Sequence, residues 1–180
     1  ASPGMESCEI HSMSMEFLTS PWHHLFFGPD TAKYQLYHAE DSLSFLPYGC
    51  LVDEFQQIMY QQPHLTPDER NRVWLELEHK YRPWIDFADL PFYGRGAGWQ
   101  RQLHIYECPF YYIDYCLAQT VALQFFAAHL ADPKDAWQRY LALVRQAGTA
   151  SYPQLVKAAG LAVPFEDGSL APVAHTVAQW

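Results

Sequence analysis

The stretch FYYIDYCLAQTVALQFFAAHL, Phe110 to Leu130, decides how this chain is read. It is the most apolar run in the sequence, it contains neither Gly nor Pro, and Pro109 stands immediately before it, so it predicts the central buried helix. Downstream, Asp132-Pro133 caps an amphipathic helix to about Ala147. Ser151-Tyr152-Pro153 starts a short helix ending at Gly160, and Ala171 to Trp180 adds a last turn or two. Upstream, residues 83–103 read as irregular, broken by Pro83, Pro91 and the run Gly94-Arg95-Gly96-Ala97-Gly98. Thr66-Pro67-Asp68-Glu69 combines a cap, a first-turn Pro and two acids facing the helix dipole, and Val73, Trp74, Leu77 and Tyr81 follow at helical spacing. Pro47 is expected to begin a helix reaching about Gln61, separate from one that Asp30 caps and that ends near Phe45. Met5 to Thr19 forms the first helix, stopped by Ser20-Pro21. No run alternates as a strand does, so the expected fold class is all-α with little or no sheet, a single helical domain over residues 1–180.

Composition narrows the function. Eleven Lys and Arg stand against 20 Asp and Glu, a formal charge of −9, and no stretch gathers the basic residues that phosphate binding needs. No nucleic acid and no anionic membrane surface are expected as partners. No apolar run approaches the roughly 20 residues of a membrane span, and Ala-Ser-Pro-Gly at the start has neither the basic nor the apolar region of a signal. The chain therefore reads as cytoplasmic. Charged residues make up 17%, below the roughly 25% usual in soluble domains, whereas the aromatics comprise 6 Trp, 12 Tyr and 11 Phe. Something besides a private core uses that surface: a cleft, an oligomer interface or a missing partner half. Cys8, Cys50, Cys108 and Cys116 include no C-x-x-C pair and read as buried reduced thiols.

Two places could carry chemistry. On the first helix Glu6, Glu9 and Glu16 share one face with Ser12 and Met13, and mutually repelling carboxylates call for a cation. A solvated helix face is the ordinary reading of such a stripe; the functional one makes one Glu a metal ligand steadied by its neighbours. None of the nine His forms an H-E-x-x-H, so no complete zincin site is present, and surface or satisfied imidazoles are expected. The second place, His104 to Tyr115, concentrates an imidazole and four phenols around a helix start, and phenol hydroxyls donate to a developing oxyanion without carrying charge. Its ordinary reading is core tyrosines bonded to backbone acceptors. The Gly94 to Gly98 run lacks both a preceding strand and a following G-K-[ST], and reads as a mobile hinge or a loop giving a substrate close access to backbone.

These features together resemble the oligoendopeptidase F family, thimet-oligopeptidase-like zinc metallopeptidases. The resemblance begins at Glu6-Ser-Cys-Glu-Ile-His-Ser-Met-Ser-Met-Glu-Phe-Leu18, which is similar to the family segment just after the H-E-x-x-H helix. It runs on through Asp53-Glu-Phe-Gln56, the Thr66 to Tyr81 helix, Gly98-Trp99, His104 to Tyr115 and Leu117-Ala118. It ends with Leu155-Val156, Ala159-Gly160-Leu161, and Pro164-Phe165 to Gly168. The fold implied is the C-terminal helical part of a thermolysin-like oligopeptidase catalytic domain. The cofactor implied is zinc, with Glu9 as third ligand and Glu6 and Glu16 behind the ligands, accepting from imidazole N–H groups. His104, Tyr112 and Tyr115 are implied to bind the substrate carbonyl and stabilise the tetrahedral intermediate; Tyr111 is a further candidate and Tyr106 a weaker one. The two zinc histidines and the general-base Glu would lie before Ala1, in a missing N-terminal part of the same protein. On this reading the chain alone does not hydrolyse oligopeptides, because catalytic zinc takes three protein ligands.

The competing class is a non-catalytic helical module that binds peptides or another protein with the same cleft wall. A cysteine enzyme is a third class, disfavoured because Cys108 and Cys116 have no evident base in register.

Overall fold

A computed structural model describes residues 2–87 and 89–178. Among these the chain is helical, and no strand occurs. It packs as two compact units, residues 1–42 with 117–180 and residues 43–116.

The first unit is organised on the run that the sequence marked as central. In the part of helix Tyr112–Ala131 that belongs to it, Ala118, Val121, Ala122, Leu123, Phe125 and Phe126 are all fully buried. Each large side chain among them contributes about 1.5–3 kcal/mol through burial. Helix Met5–Leu18 lays Ile10, Phe17 and Leu18 on this core, and Ser7 and Ser14 of the same helix are buried as well. One cluster joins Ile10, Val121 and Phe125 to Tyr140, Leu143, Leu155 and Val156; a second joins Phe17, Leu123 and Phe126 to Ala39, Val173 and Val177. Asp132 caps helix Pro133–Gln146 by accepting from Lys134 N and Asp135 N. Arg139 in turn donates to the carbonyls of Ala159 and Gly160 at 2.7 Å each, closing the end of helix Tyr152–Ala158. The Gln124 amide donates to Ala162 O at 2.9 Å and accepts from Ala162 N at 2.8 Å, which ties the following segment to the central helix. The last helix is Ala171–Val177; the remainder of the expected 171–180 segment reaches residues 179 and 180, which lie outside the described residues.

The second unit is built on Leu51, Val52, Phe55, Trp74, Leu77 and Tyr112. Helix Pro67–Tyr81 starts at a reciprocal cap, the Thr66 hydroxyl accepting from Glu69 N and the Glu69 carboxylate accepting from Thr66 N. One expectation fails here. Pro47 does not begin a new helix; it lies inside a single helix, Thr31–Gln61, of 31 residues. A mid-helix Pro costs about 3 kcal/mol, and packing offsets it. Gly49 has no side chain where the Cys116 sulfur sits, and the Cys116 thiol donates to Leu46 O at 3.6 Å, so a tertiary contact holds the backbone beside Pro47.

The glycine run is not a hinge. Gly96 adopts φ +77°, is buried, and rests on the backbone of helix Pro67–Tyr81, where an added Cβ would collide with Asn71 O. The loop is fastened a second time by Trp99 Nε1, which donates to Asn71 Oδ1 at 2.9 Å. Of the four thiols only Cys116 is buried; Cys108 is exposed because it falls in the turn after helix His104–Glu107. No helix of the described residues is long and apolar enough to cross a membrane.

Candidate functional site

In the second unit the chain turns sharply between helix His104–Glu107 and helix Tyr112–Ala131. Phe110 supplies the turn with φ +65°, a left-handed conformation uncommon for a bulky residue, and its ring lies 4.9 Å from that of Tyr60. The long helix therefore begins at Tyr112 rather than Phe110, and its first turn folds back on His104. The imidazole stands 5.0 Å from the Tyr112 ring, 5.7 Å from Tyr115 and 6.1 Å from Tyr111, centroid to centroid. Tyr111 and Tyr112 lie 4.9 and 5.6 Å from Tyr115. Four residues that the sequence singled out are thus one cluster. Tyr106 faces elsewhere and stacks on Trp99 at 6.0 Å.

Polarity in the cluster is graded. Tyr112 is 9% exposed, and burial, with Tyr48 close by, pushes its phenol well above the usual tyrosine range. Such a hydroxyl keeps its proton and can act only as a neutral donor or acceptor. His104 Nδ1 faces the side-chain amide of Gln102 at 2.7 Å, and the Gln102 carbonyl oxygen accepts from the Tyr48 hydroxyl at 2.9 Å. Tyr48 is held in place by Arg82 4.6 Å above its ring and by the edges of Trp74 and Tyr112. Arg82 is itself anchored on the buried Glu78 carboxylate, which also accepts from Trp74 Nε1 at 3.1 Å. Sequence reasoning missed Gln102 and Tyr48. The first lies only two residues before His104 and was overlooked; the second is 54 residues from its partner and leaves no local signal.

The acidic stripe belongs to the first unit. Glu6 and Glu9 are half-buried, and Glu9 accepts from the Ser12 hydroxyl at 3.4 Å. Glu16 is exposed and accepts from His38 Nε2 at 2.8 Å, while the His38 ring packs on Phe17 at 4.5 Å. His38 is carried by helix Thr31–Gln61, which brings it to Glu16. Among the described residues no three His, Cys, Asp or Glu side chains gather closely enough to hold a metal ion. A hard, half-buried carboxylate such as Glu9 fits one position of a zinc site and supplies no more than that.

Comparison with known proteins gives the arrangement a context. No family model matches the chain, and no curated protein aligns with it. Solved structures do. PZ peptidase A with an inhibitor superposes with a TM-score of 0.95 at 50% identity over 99% of the chain. An oligoendopeptidase F superposes with a TM-score of 0.96 at 51% identity over 99% of the chain. An oligoendopeptidase F from Bacillus anthracis strain Ames gives a TM-score of 0.83 at 41% identity, again over 99%. These likenesses define the class: helical architecture shared with peptidases. Over 99% of its length the chain is similar to these oligoendopeptidase F and PZ peptidase structures, and it spans about a third of their own length, 32%, 32% and 29%.

Proposed function

We propose that this chain is part of a zinc metalloendopeptidase that hydrolyses oligopeptides. The observation carrying the reading is the 50% identity to PZ peptidase A over 99% of the chain, joined to an imidazole surrounded by phenols at a helix start. In this reading Glu9 is the third zinc ligand, and Glu6 and Glu16 hold ligand imidazoles by accepting from their N–H groups. The engagement of Glu16 with His38 makes that role the weakest of the three for this chain's own geometry. When bound, zinc supplies Lewis-acid polarisation of the scissile carbonyl. His104 donates an N–H to the oxygen on which charge develops, Tyr115 and Tyr112 donate hydroxyls to it or to the neighbouring substrate backbone, and Tyr111 closes the wall beside them. A phenol such as Tyr112, which burial keeps protonated, suits this task because burying an uncharged donor costs less than burying a charged one.

The rest of the protein, with both zinc histidines and the general-base Glu, is the proposed partner of residues 1–180, which act as the C-terminal portion of one catalytic domain in the cytoplasm. A non-catalytic peptide-binding module is the reading that this replaces. The test is direct: the reading frame should extend upstream of Ala1 into H-E-x-x-H, and its full-length product should bind one zinc and cleave oligopeptides. A frame that starts at residue 1, or a full-length product that binds zinc and cleaves nothing, overturns the proposal.

A further inference from the structure

Gln102 has a geometry that the proposed chemistry does not require but that decides what His104 can do. A carboxamide has one accepting and one donating end, so its two neighbours cannot be chosen independently. The Tyr48 hydroxyl donates to the carbonyl end at 2.9 Å, and the amino end then meets His104 Nδ1 at 2.7 Å. Turning the amide over would set its NH2 against the Tyr48 hydroxyl and leave that hydroxyl hydrogen without the acceptor it now has. Tyr48 cannot swing away to compensate, because Arg82 covers its ring and Trp74 and Tyr112 hold its edges. Burial pushes the Tyr48 phenol above the usual range, so it stays a donor. Nδ1 must therefore accept, and the ring hydrogen must sit on Nε2.

We infer that Gln102, oriented by Tyr48, is a positioning residue that fixes His104 in its Nε2–H tautomer and so keeps Nε2 a hydrogen-bond donor. The inference rests on the proposed peptidase reading for its purpose: a neutral imidazole in the other tautomer would present a lone pair, which repels a developing oxyanion instead of stabilising it. The donor would be ready before substrate arrives, with no reorganisation during the reaction.

Nuclear magnetic resonance of the chain with ring-15N histidine reads the tautomer directly. The His104 signals are assigned by their loss in His104→Gln, at alkaline pH where imidazoles are neutral. The expected spectrum shows protonated Nε2 and bare Nδ1, with a coupling across the hydrogen bond to the Gln102 amide. Gln102→Glu replaces the donor with an acceptor of the same shape and should move the hydrogen to Nδ1. Tyr48→Phe should release the amide and give a mixture. Protonated Nδ1 in the wild type, or the same tautomer in all three proteins, overturns the inference. In the full-length peptidase Gln102→Leu should lower kcat about tenfold or more with KM little changed. A full-length protein that shows the Nε2–H form but cleaves no peptide would refute the functional reading and leave the tautomer assignment intact; an active one with protonated Nδ1 would do the reverse.

Discussion

Arg82 grips the buried Glu78 carboxylate with its terminal nitrogen at 2.6 Å and its Nε at 2.8 Å, one helical turn further along the chain. The same guanidinium lies over the Tyr48 ring, so one ion pair supports both the core beside Trp74 and the residue that orients Gln102.

Removing the cation should show what that support is worth. Arg82→Met leaves Glu78, 4% exposed, without its counter-charge. The expected loss is about 3–5 kcal/mol, read as a lower midpoint in urea unfolding. Replacing both residues, Glu78→Leu with Arg82→Met, should recover much of it, since no orphaned charge remains. A near-neutral single substitution would mean that water reaches the carboxylate.

Gly96→Ala tests whether the glycine run is a fastened turn. The substitution combines a left-handed φ with a collision at Asn71 O, and should cost about 1–3 kcal/mol in thermal unfolding. Gly28→Ala has a positive φ in open space and should cost less. Equal effects would show that only the backbone angle is at stake.

Stability should fall as the solution is acidified from about pH 7 to about pH 5. Burial lowers the pKa of His11, His23 and His129 below the ordinary histidine value. His23 donates from Nε2 to Glu16 O, and its buried Nδ1 has no partner for a second hydrogen. Because the folded values lie below the unfolded ones, the neutral forms stabilise the fold above the unfolded value of about 6.5. That contribution is lost as pH falls through the lowered values. Urea midpoints measured across this range check it, and a flat profile would count against the buried neutral imidazoles.

Tyr115→Phe in the full-length protein should depress kcat about 10²-fold while zinc content stays constant, the pattern of a lost donor to the oxyanion. An unchanged kcat would remove Tyr115 from the chemistry.

Glu9→Gln should behave oppositely, lowering zinc content along with activity, because an amide oxygen is a poor replacement for a carboxylate ligand. Retained metal and full turnover would reassign the ligand.

Much of the fold was legible in residue order. The caps at Thr66, Asp132 and Ser151 lie at the helix starts they announced, since a cap is satisfied within three residues of itself. Pro47 misled because the helix through it is held by tertiary packing, Leu51, Val52 and Phe55 against Trp74 and Leu77 and the Cys116 sulfur beside Gly49, that no window around residue 47 contains. The glycines misled for a similar reason: flexibility is what Gly permits, and the backbone of Asn71 removes it.

The sequence by itself determined that the chain is helical and where its candidate chemistry lies, because helix periodicity, capping and the His104 to Tyr115 concentration are all local. Tertiary structure alone decided that Tyr48 and Gln102 stand behind His104, and that Glu16 meets His38. Those pairings depend on side chains from distant segments arriving at hydrogen-bonding distance, and only the packed core sets that distance.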